Sequence, residues 1–435
     1  MKILFLCNKS PWPPKEGGPM AMNMLVEGLL AAGHSVKVLA INSFKYNIHL
    51  SDIPLPYREQ TAIELIYVDL KLRPWKGLTN LITGQSYHVQ RFISANFRKR
   101  LEDVLHQEEY DIVQLETLFM SPYIETVRNH SCARILLRAH NIEHRIWERV
   151  ADDTKNPLRR WYIRHLAKTL KSYEHKVIPS FNGIIAITPT DAEYFKGLAV
   201  KNQKPRFNTQ VSIQNPDEKD KAKRPPHTHD PIPDNLFPPV IDIPFGVDPA
   251  TYSVNQDAME FPSLFTLGAM NWIPNQEGVR WFLQNVWPDI HKEFPSLKYY
   301  LAGREMPPWM HNLDLDHVVV LGEVEDAREF ISSKAVMIVP LFSGSGIRIK
   351  IIEGMALGTA IISTTTGAEG IDYKKNENIL IADSPCEFFE MISIVVRDRD
   401  LCQRIGKEAR KLIETKYNSE ILIQKLIAFY KQLAR

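Results

Sequence analysis

The sequence predicts an α/β protein built from two doubly wound parallel sheets. Short apolar runs alternate with amphipathic segments in two successive blocks, at about 2–195 and 264–433. Such alternation is typical of strand–helix–strand units whose helices cover both faces of a sheet. The length of 435 residues also suggests two or three domains, at roughly 150 residues per domain.

The first block opens on a compact apolar run at 2–7, which suits a strand buried on both faces. A loop rich in Pro and Gly at 11–19 precedes a helix at 20–32, which Gly33 ends. Strands are predicted at 35–41, 63–68, 112–115, 134–138 and 183–188. Helices are predicted at 97–107, at 123–128, as a pair over 143–177, and from 190 onward.

Residues 201–239 break the alternation. They are rich in Lys, Asp, Pro, Asn and His and have almost no apolar periodicity. This composition indicates a mobile insertion, whose simplest interpretation is a solvated loop without a catalytic role.

The second block repeats the strand–helix pattern. Strands are predicted at 265–267, 298–302, 318–321, 335–340 and 360–364, and helices at 275–286, 349–355, 385–398, 400–415 and 419–433. The predicted domains are an N-terminal lobe at 1–248, a C-terminal lobe at 249–415, and a last helix at 416–435 that can pack back on the first lobe.

Composition excludes several classes of protein. Hydrophobic residues make up 44% and charged residues 24%, as in ordinary globular proteins. The net charge of +2 does not indicate a nucleic-acid binder. The spacing of the four cysteines fits neither metal ligands nor a redox motif, which predicts buried free thiols in a reducing compartment. The cysteines are Cys7, Cys132, Cys386 and Cys402. The first apolar run is too short for a signal peptide, so we expect a cytoplasmic protein.

Unusual residues follow the predicted strands, and ligands of open parallel sheets bind beyond the carboxyl ends of the strands. Gly17 and Gly18 follow the first strand, His140 and Asn141 follow a middle strand, and Asn271 follows the first strand of the second block. If the two lobes face each other, these residues converge on one interdomain cleft.

The segment 340–358 reads as a strand end, a Gly/Ser loop and a helix. The backbone N–H groups of such a loop and the positive end of the helix dipole suit a phosphate group. Arg348 and Lys350 add charge there, and Glu353, one turn further, can accept hydrogen bonds from two vicinal hydroxyls of a ribose. The pattern alone is equally compatible with exposed helix residues. It is not a Walker loop, because no Gly-Lys-Ser/Thr is present.

Five motifs together resemble one known family. They are the Pro-x-Pro-Pro…Gly-Gly loop at 11–18, the His-Asn-x-Glu element at 140–143, the Pro-Phe-Gly-Val-Asp hinge at 244–248, the Gly-Ala-Met-Asn-Trp-Ile-Pro-Asn stretch at 268–275, and Glu-Gly-Met-Ala-Leu-Gly at 353–358 followed by Ser-Thr. Over nearly its whole length the chain is similar to the two-lobed (GT-B) retaining glycosyltransferases of family four, the glycosyl transferases of group 1.

The resemblance implies two Rossmann-like lobes facing a cleft, and transfer of a sugar from a nucleotide-sugar donor to a hydroxyl of a glycan or lipid-linked acceptor. The outcome would be retention of the anomeric configuration, in cell-surface glycan or glycolipid synthesis, without metal or other cofactor. The candidate catalytic residues are His140, Arg348, Lys350 and Glu353. The candidate donor-binding residues are Gly17, Gly18, Asn271, Glu323, Val324, Gly344, Ser345, Gly346, Arg348, Lys350 and Glu353, and the candidate acceptor-side residues are His140, Asn141 and Glu143.

Two departures from the family pattern matter. The family's Glu-x7-Glu motif would place a first glutamate where Ser345 stands, eight residues before Glu353. The family's Gly-Arg…Lys-Gly pair is also missing, and Asn271 and Asn275 stand in that region instead. We expect Arg348 and Lys350 to replace the missing cations, although residues two apart on an ideal helix do not share a face. An irregular first turn would let both point inward.

Other interpretations stay open. A nucleotide-sugar epimerase would have the same architecture, and the missing glutamate also fits a non-catalytic, glycosyltransferase-like partner subunit. The basic and aromatic helix around 159–171 could lie on anionic lipid at the inner face of a membrane, or it could be an ordinary solvated helix. No nucleic-acid partner is expected.

Overall fold

The computed structural model describes residues 1–71, 85–202, 237–253, 259–344 and 346–434, with the backbone alone at 199–202. The chain forms two compact units. The first comprises Met1–Ile243 with Ile423–Arg435, and the second comprises Pro244–Leu422.

The first unit contains a seven-stranded parallel sheet with helices between its strands. The strand order β3-β2-β1-β4-β5-β6-β7 reverses direction between β1 and β4, which is the place where doubly wound sheets bind ligands. The elements are β1 (Lys2–Cys7), α1 (Gly17–Ala31), β2 (Ser35–Asn42), α2 (Leu55–Thr61), β3 (Glu64–Tyr67), α3 (Tyr87–Gln90), α4 (Ala95–Gln107), β4 (Ile112–Glu116), α5 (Ile124–His130), β5 (Arg134–Ala139), α6 (Glu143–Asp153), α7 (Pro157–Val177), β6 (Gly183–Ala186), α8 (Pro189–Asn202) and β7 (Val240–Asp242).

The second unit contains a six-stranded parallel sheet of the same kind. Its order β10-β9-β8-β11-β12-β13 reverses between β8 and β11. The elements are β8 (Glu260–Leu267), α9 (Ile273–Asn285), α10 (Trp287–Glu293), β9 (Lys298–Ala302), α11 (Pro308–His311), β10 (Val318–Gly322), α12 (Ala327–Ser332), β11 (Lys334–Val339), α13 (Ile349–Ala356), β12 (Ala360–Ser363), β13 (Leu380–Ile381), α14 (Pro385–Arg397), α15 (Arg399–Lys416) and α16 (Ser419–Ala434).

The central strands are apolar because helices cover both faces of each sheet. In β1, residues 3–7 are fully buried, as expected for a parallel strand without a solvent face. One apolar core lies around β1, β4 and β5 in the first unit, and another lies around β8, β9 and β11 in the second. The predicted pair of doubly wound sheets is confirmed.

The last helix, α16, runs across the division between the units. Its residues from Ile423 onward belong to the first unit. Ile423 packs so closely on α1 that a Cβ at Gly28 would stand 2.4 Å from its Cγ1. Tyr430 donates a hydrogen bond to Gln114 in β4, and Lys425 Nζ donates to the backbone oxygen of Asp242 at 2.8 Å.

Several boundaries differ from the prediction. Helix α1 begins at Gly17 rather than at 20, so Gly17 and Gly18 form its first turn and do not belong to the preceding loop. Strand β8 begins at Glu260, before the predicted start at 265, although Pro262 interrupts the apolar pattern. Among the described residues, the pattern predicted no bounds for seven short elements, α2, α3, α10, α11, α12, β7 and β13. Most of the predicted insertion at 201–239 lies outside the described residues.

The cysteine prediction is half wrong. All four cysteines are free thiols, but only Cys7 and Cys402 are buried, and Cys132 and Cys386 are exposed. Cys132 lies in the turn between α5 and β5, and Cys386 lies in the first turn of α14, where the side chains face solvent. Within the described ranges, no helix has both the length and the apolar character needed to cross a membrane.

Candidate functional site

A glycine-rich loop joins β11 to α13 at the carboxyl edge of the second sheet. Gly344 and Gly346 have φ values of +106° and +83°, a region that glycine adopts without strain. A Cβ at Gly344 would stand 2.8 Å from Trp272 Cζ2 and 2.9 Å from Arg348 Nη2. The absence of a side chain therefore lets the loop backbone lie directly against these two residues.

Arg348 occupies the N-cap of α13. Its backbone is extended, with φ −83° and ψ 99°, so Arg348 does not belong to the helix. The rule that residues two apart on a helix point in different directions therefore does not apply to Arg348 and Lys350. Its side chain is buried. Nη1 donates to Gly346 O at 3.0 Å, and Cζ lies 5.1 Å from the centre of the Trp272 ring.

Lys350 lies in the first turn of α13 and reaches toward the loop after β8. Its Nζ donates to Asn275 Oδ1 at 3.0 Å, and Asn275 Nδ2 donates to Ala269 O at 2.9 Å. Burial, and then the charge of Arg348, lower the pKa of Lys350 to about 7. The two side chains, called here the cation pair, repel each other, and a bound anion would relieve that repulsion.

Glu353 lies three residues beyond Lys350, on the same face of α13. Tyr252 Oη donates to Glu353 Oε1 at a long 3.4 Å. Arg328 Nη2 donates to Tyr252 Oη at 3.2 Å, and Arg328 Cζ lies 4.1 Å from the centre of the tyrosine ring. Burial raises the pKa of the Glu353 carboxyl, while the Arg328 charge and the Tyr252 hydrogen bond oppose that rise.

The other described donor candidates of this unit are Asn271, Glu323 and Val324. Asn271 donates from Nδ2 to Glu305 Oε1 at 2.8 Å. Glu323, exposed, and Val324, half-buried, follow β10, at the edge of the sheet and three strands from β11. Ser345 lies outside the described residues.

In the first unit, His140 follows β5 and pairs with a buried carboxylate. Its Nε2 lies 2.6 Å from Glu116 Oε2, and Glu116 is fully buried at the end of β4. Arg138 Nη1 lies 3.6 Å from the same oxygen and donates to Ala21 O at 2.8 Å. The sheet register places Glu116 beside Arg138.

The second oxygen of Glu116 is also satisfied. Gln114 Nε2 donates to Glu116 Oε1 at 2.6 Å, and Tyr430 donates to Gln114 Oε1. A buried chain of hydrogen bonds thus runs from α16 through β4 to His140. Buried polar groups need such partners, because an unsatisfied one costs about 1–3 kcal/mol.

Gly18 lies next to this group, in the first turn of α1. A Cβ at Gly18 would stand 3.2 Å from Lys9 Cε and 4.0 Å from His140 Nδ1. Lys9 is itself paired with Glu16, Nζ to Oε2, at 2.8 Å. Gly17 is exposed in the same turn. The structure therefore brings Gly18 and His140 together at the carboxyl edge of the first sheet.

The other acceptor-side candidates differ in exposure. Asn141 is half-buried. Glu143 begins α6 and is buried, and its backbone N–H donates to Glu174 Oε1 at 3.3 Å. Burial, and then the nearby charge of Glu174, raise the pKa of Glu143 to about 8, so its carboxyl group is largely protonated at pH 7.

The sequence motifs do not include Gln114, Glu116, Arg138 and Tyr430. A signal was present in the sequence, because Gln114, Glu116 and Arg138 interrupt the otherwise apolar strands β4 and β5. A charged residue inside a strand that is buried on both faces needs a charged or hydrogen-bonding partner. Tyr430 carries no such signal, since a tyrosine in an amphipathic helix is ordinary.

Comparison with known proteins supports the same class as the motifs. Residues 261–398 match the family described as Glycosyl transferases group 1. A Klebsiella pneumoniae protein described as an uncharacterized 44.6 kDa protein in the cps region is 20% identical, over 96% of this chain and 97% of its own length.

Solved structures share the fold over the whole chain. Sucrose-phosphate synthase from Thermosynechococcus elongatus superposes with a TM-score of 0.66 at 14% identity, covering 100% of this chain and 99% of the synthase. HepE from Anabaena, solved in complex with UDP, has a TM-score of 0.61 at 10% identity, covering 99% of this chain and 100% of HepE.

The fold and the family match define the class of protein. The chain has the GT-B fold, and its second unit carries the sequence signature of the group 1 glycosyltransferases. The match over residues 261–398 agrees with the family that the motifs resemble. The roles of the individual residues, and a cleft shared by the two units, stay predictions.

Proposed function

We propose that this protein transfers a sugar from a nucleotide-sugar donor to a hydroxyl group of an acceptor, with retention of the anomeric configuration. The second unit would bind the donor, and His140 would act on the acceptor side. The similarity to a protein of the cps region supports a role in cell-surface glycan or glycolipid synthesis. The acceptor would be a glycan or a lipid-linked sugar.

The observation that carries the proposal is the cation pair at the N-terminus of α13. A nucleoside diphosphate needs positive charge at its phosphates, and the family's usual Arg/Lys pair is missing from the loop after β8. Lys350 extends to that loop, where its Nζ contacts Asn275 at 3.0 Å. Lys350, together with Arg348 against Trp272 of the same loop, would supply the charge of the missing pair, and Glu353, one turn further along α13, would bind the ribose.

The chemistry follows from this placement. Negative charge grows on the diphosphate as the bond to the sugar breaks. Positively charged groups that are already in position lower the activation barrier of this step. Front-face transfer, in which the departing phosphate takes the acceptor proton, would give retention. Because Arg348 and Lys350 supply the charge, we propose that the reaction needs no metal ion. Turnover should then persist in excess EDTA.

The test is a calorimetric titration of the wild type and of Arg348→Ala. HepE has been solved with UDP, so the panel starts with UDP and uridine and continues with other nucleoside diphosphates. Loss of Arg348 should weaken diphosphate binding by roughly 10- to 100-fold, the equivalent of about 1.5–3 kcal/mol for hydrogen bonds to a charged group. Binding of the matching nucleoside should barely change.

Arg397→Ala is the matched control, since Arg397 is an exposed arginine of the same unit that pairs with Glu293. It should leave both affinities unchanged. Equal losses for diphosphate and nucleoside in Arg348→Ala, or no loss for either, would place the phosphate site elsewhere. Isomerisation of a free sugar nucleotide would favour an epimerase, and binding without any turnover would favour a partner subunit.

A peripheral membrane contact is a second element of the proposal. At the start of α7, Leu158 is 79% exposed and Trp161 is 61% exposed, beside Arg159, Arg160 and Arg164. Apolar side chains that emerge between basic ones suit an anionic lipid surface. Cosedimentation with vesicles containing phosphatidylserine should fall for Leu158→Ser/Trp161→Ser and should be absent with neutral vesicles.

A further inference from the structure

We propose that Glu116 is a positioning residue. With Gln114 and Tyr430, it fixes His140 in the tautomer that carries its proton on Nε2, so that Nδ1 is a hydrogen-bond acceptor for a hydroxyl group of the sugar substrate. The inference rests on the proposed function, which puts His140 on the acceptor side.

The direction of each hydrogen bond follows from the chemistry of the groups. The carboxylate of Glu116 takes the amide nitrogen of Gln114, which donates to Oε1 at 2.6 Å, and the amide oxygen therefore faces Tyr430, which donates to it. An ionised carboxylate can only accept. The contact of 2.6 Å between Glu116 Oε2 and His140 Nε2 therefore requires a hydrogen on Nε2.

The charges agree with this assignment. Burial acts to raise the pKa of Glu116, but the charge of Arg138 and the hydrogen bond of His140 outweigh it, and the pKa falls below its usual value. Burial lowers the pKa of His140 in spite of Glu116. A neutral imidazole therefore donates to an ionised carboxylate, and only one ring nitrogen carries a proton.

The other ring nitrogen, Nδ1, faces the first turn of α1. It lies 4.0 Å from the position of a Cβ at Gly18, and Lys9 Nζ lies 3.5 Å from the same point. This is the carboxyl edge of the sheet, beside the reversal between β1 and β4, where ligands of doubly wound sheets bind. There, Nδ1 can accept a hydrogen bond from a substrate hydroxyl group. The hydroxyl group keeps its proton in this contact.

The distinguishing variant is Glu116→Gln. Gln114 still presents its amide nitrogen, because turning this amide over would take from the buried Tyr430 hydroxyl hydrogen the acceptor that it uses here. The introduced amide must therefore turn its own oxygen toward Gln114. The NH2 group of the introduced amide then faces His140 Nε2, which must accept. The proton of His140 moves to Nδ1, and the acceptor atom for the substrate is lost.

Removing the Tyr430 hydroxyl should reverse this effect. In Glu116→Gln/Tyr430→Phe, the Gln114 amide can rotate and present its oxygen to the NH2 group of the introduced amide. The oxygen of the introduced amide then faces His140 and accepts from Nε2. Tyr430→Phe alone leaves the carboxylate of Glu116 in place and should not change the tautomer.

The readout that does not depend on activity is ¹⁵N–¹H long-range correlation NMR of the histidine rings in the full chain. We expect the Nε2–H tautomer for His140 in the wild type, the Nδ1–H tautomer in Glu116→Gln, and the Nε2–H tautomer again in the double variant. An Nδ1–H signal in the wild type, or an unchanged tautomer in Glu116→Gln, would overturn the proposal.

Kinetics gives the second readout. We expect kcat to fall roughly 10- to 100-fold in Glu116→Gln, because the substrate hydroxyl loses its hydrogen-bond acceptor, and to recover several-fold in the double variant. Affinity for the nucleoside diphosphate should not change. A loss of kcat without recovery in the double variant would contradict the role of the tautomer.

Glu174→Gln is the matched control. Glu174 is also a buried glutamate that accepts from a histidine, His144, so its replacement should lower the melting temperature comparably and leave the His140 tautomer unchanged. If the wild type neither binds nor turns over any nucleotide sugar, the proposed function fails, while the NMR result still decides the tautomer.

Discussion

At the residue scale, Glu353 depends on its neighbours for its charge. Its carboxyl is pulled toward the neutral form by burial and toward the ionised form by Arg328 and Tyr252. A ribose that replaces the long Tyr252 contact with two shorter hydrogen bonds would favour the ionised form further. The proposed ribose contact would therefore increase the negative charge on Glu353.

Glu353→Ala should therefore weaken nucleoside and nucleoside diphosphate alike, because both carry the ribose. The expected loss is roughly 10- to 100-fold, from about 1.5–3 kcal/mol for hydrogen bonds to a charged group. Calorimetry with both ligands measures it, and Tyr252→Phe should show a smaller loss. Unchanged affinity for the nucleoside would contradict the ribose assignment.

Lys350 predicts a pH dependence of phosphate binding. With a pKa of about 7, its charge is largely present at pH 6 and largely lost at pH 8, so its contribution to diphosphate affinity falls as pH rises. Binding at pH 7.5 should also take up protons, because a bound phosphate favours the charged ammonium.

Calorimetry at pH 7.5 in buffers of different ionisation enthalpy measures that proton uptake. Lys350→Arg is the control, since arginine stays charged over this range and should remove the lysine's share of the effect. The titration of the ligand's own phosphate is common to both proteins and cancels in the comparison. Equal proton uptake in the two proteins would show that Lys350 does not titrate near pH 7.

At the element scale, α15 owes its position to one glycine. A Cβ at Gly406 would stand 1.8 Å from the backbone oxygen of Gly358, at the end of α13. Because the obstacle is backbone, Gly406→Ala should move the helices apart and cost about 1–3 kcal/mol or more of unfolding free energy.

Gly197→Ala in α8 is the comparison, since nothing lies within 4 Å of its Cβ position. The same substitution should there stabilise the protein by about 0.5–1 kcal/mol through helix propensity. Chemical denaturation of both variants measures the difference. A neutral Gly406→Ala would mean that α15 can shift without cost.

The elements that the sequence predicts well are those with a continuous apolar run or a clear hydrophobic period. β1 was predicted to the residue, and α13, α14 and α16 to within about one, because the apolar pattern fixes where these elements are buried. β13 was missed because two residues, Leu380–Ile381, cannot show a period. α1 begins three residues early because its first turn is Gly-Gly-Pro, residues that predict a loop.

The sequence likewise predicts some residues of the candidate sites and not others. Sequence spacing predicts that Arg348, Lys350 and Glu353 lie close together, because Arg348 caps α13 and the other two lie in its first two turns. Glu116 and Arg138 were missed because their pairing depends on the register of two strands. Tyr430 was missed because it reaches Gln114 from the far end of the chain.

At the scale of the whole molecule, the first unit requires the last helix. Residues from Ile423 onward bury Ile423, Phe429 and Tyr430, and Phe429 packs against Gly183 in β6, where a Cβ would stand 3.0 Å from its ring. Deleting 423–435 removes several such side chains, each worth about 2–5 kcal/mol, and their sum approaches the entire stability of a domain.

The deletion should therefore unfold the first unit and leave nucleoside diphosphate binding by the second. Circular dichroism measures the first effect and calorimetry the second. Lys431→Ala, an exposed position on the same helix, should change neither. Loss of diphosphate binding together with the first unit would show that the second unit does not fold alone.

The position of this helix in the sequence also affects folding during synthesis. Strands β1–β7 are synthesised before residue 244, but the segment that completes their unit is synthesised only after Pro244–Leu422. At ~5–20 residues per second this interval is roughly 10–35 s. Throughout it, the nascent first unit displays the apolar surface of α1 and β6 that α16 later covers. We therefore expect chaperones that bind nascent chains to bind the N-terminal half until its last helix has been synthesised.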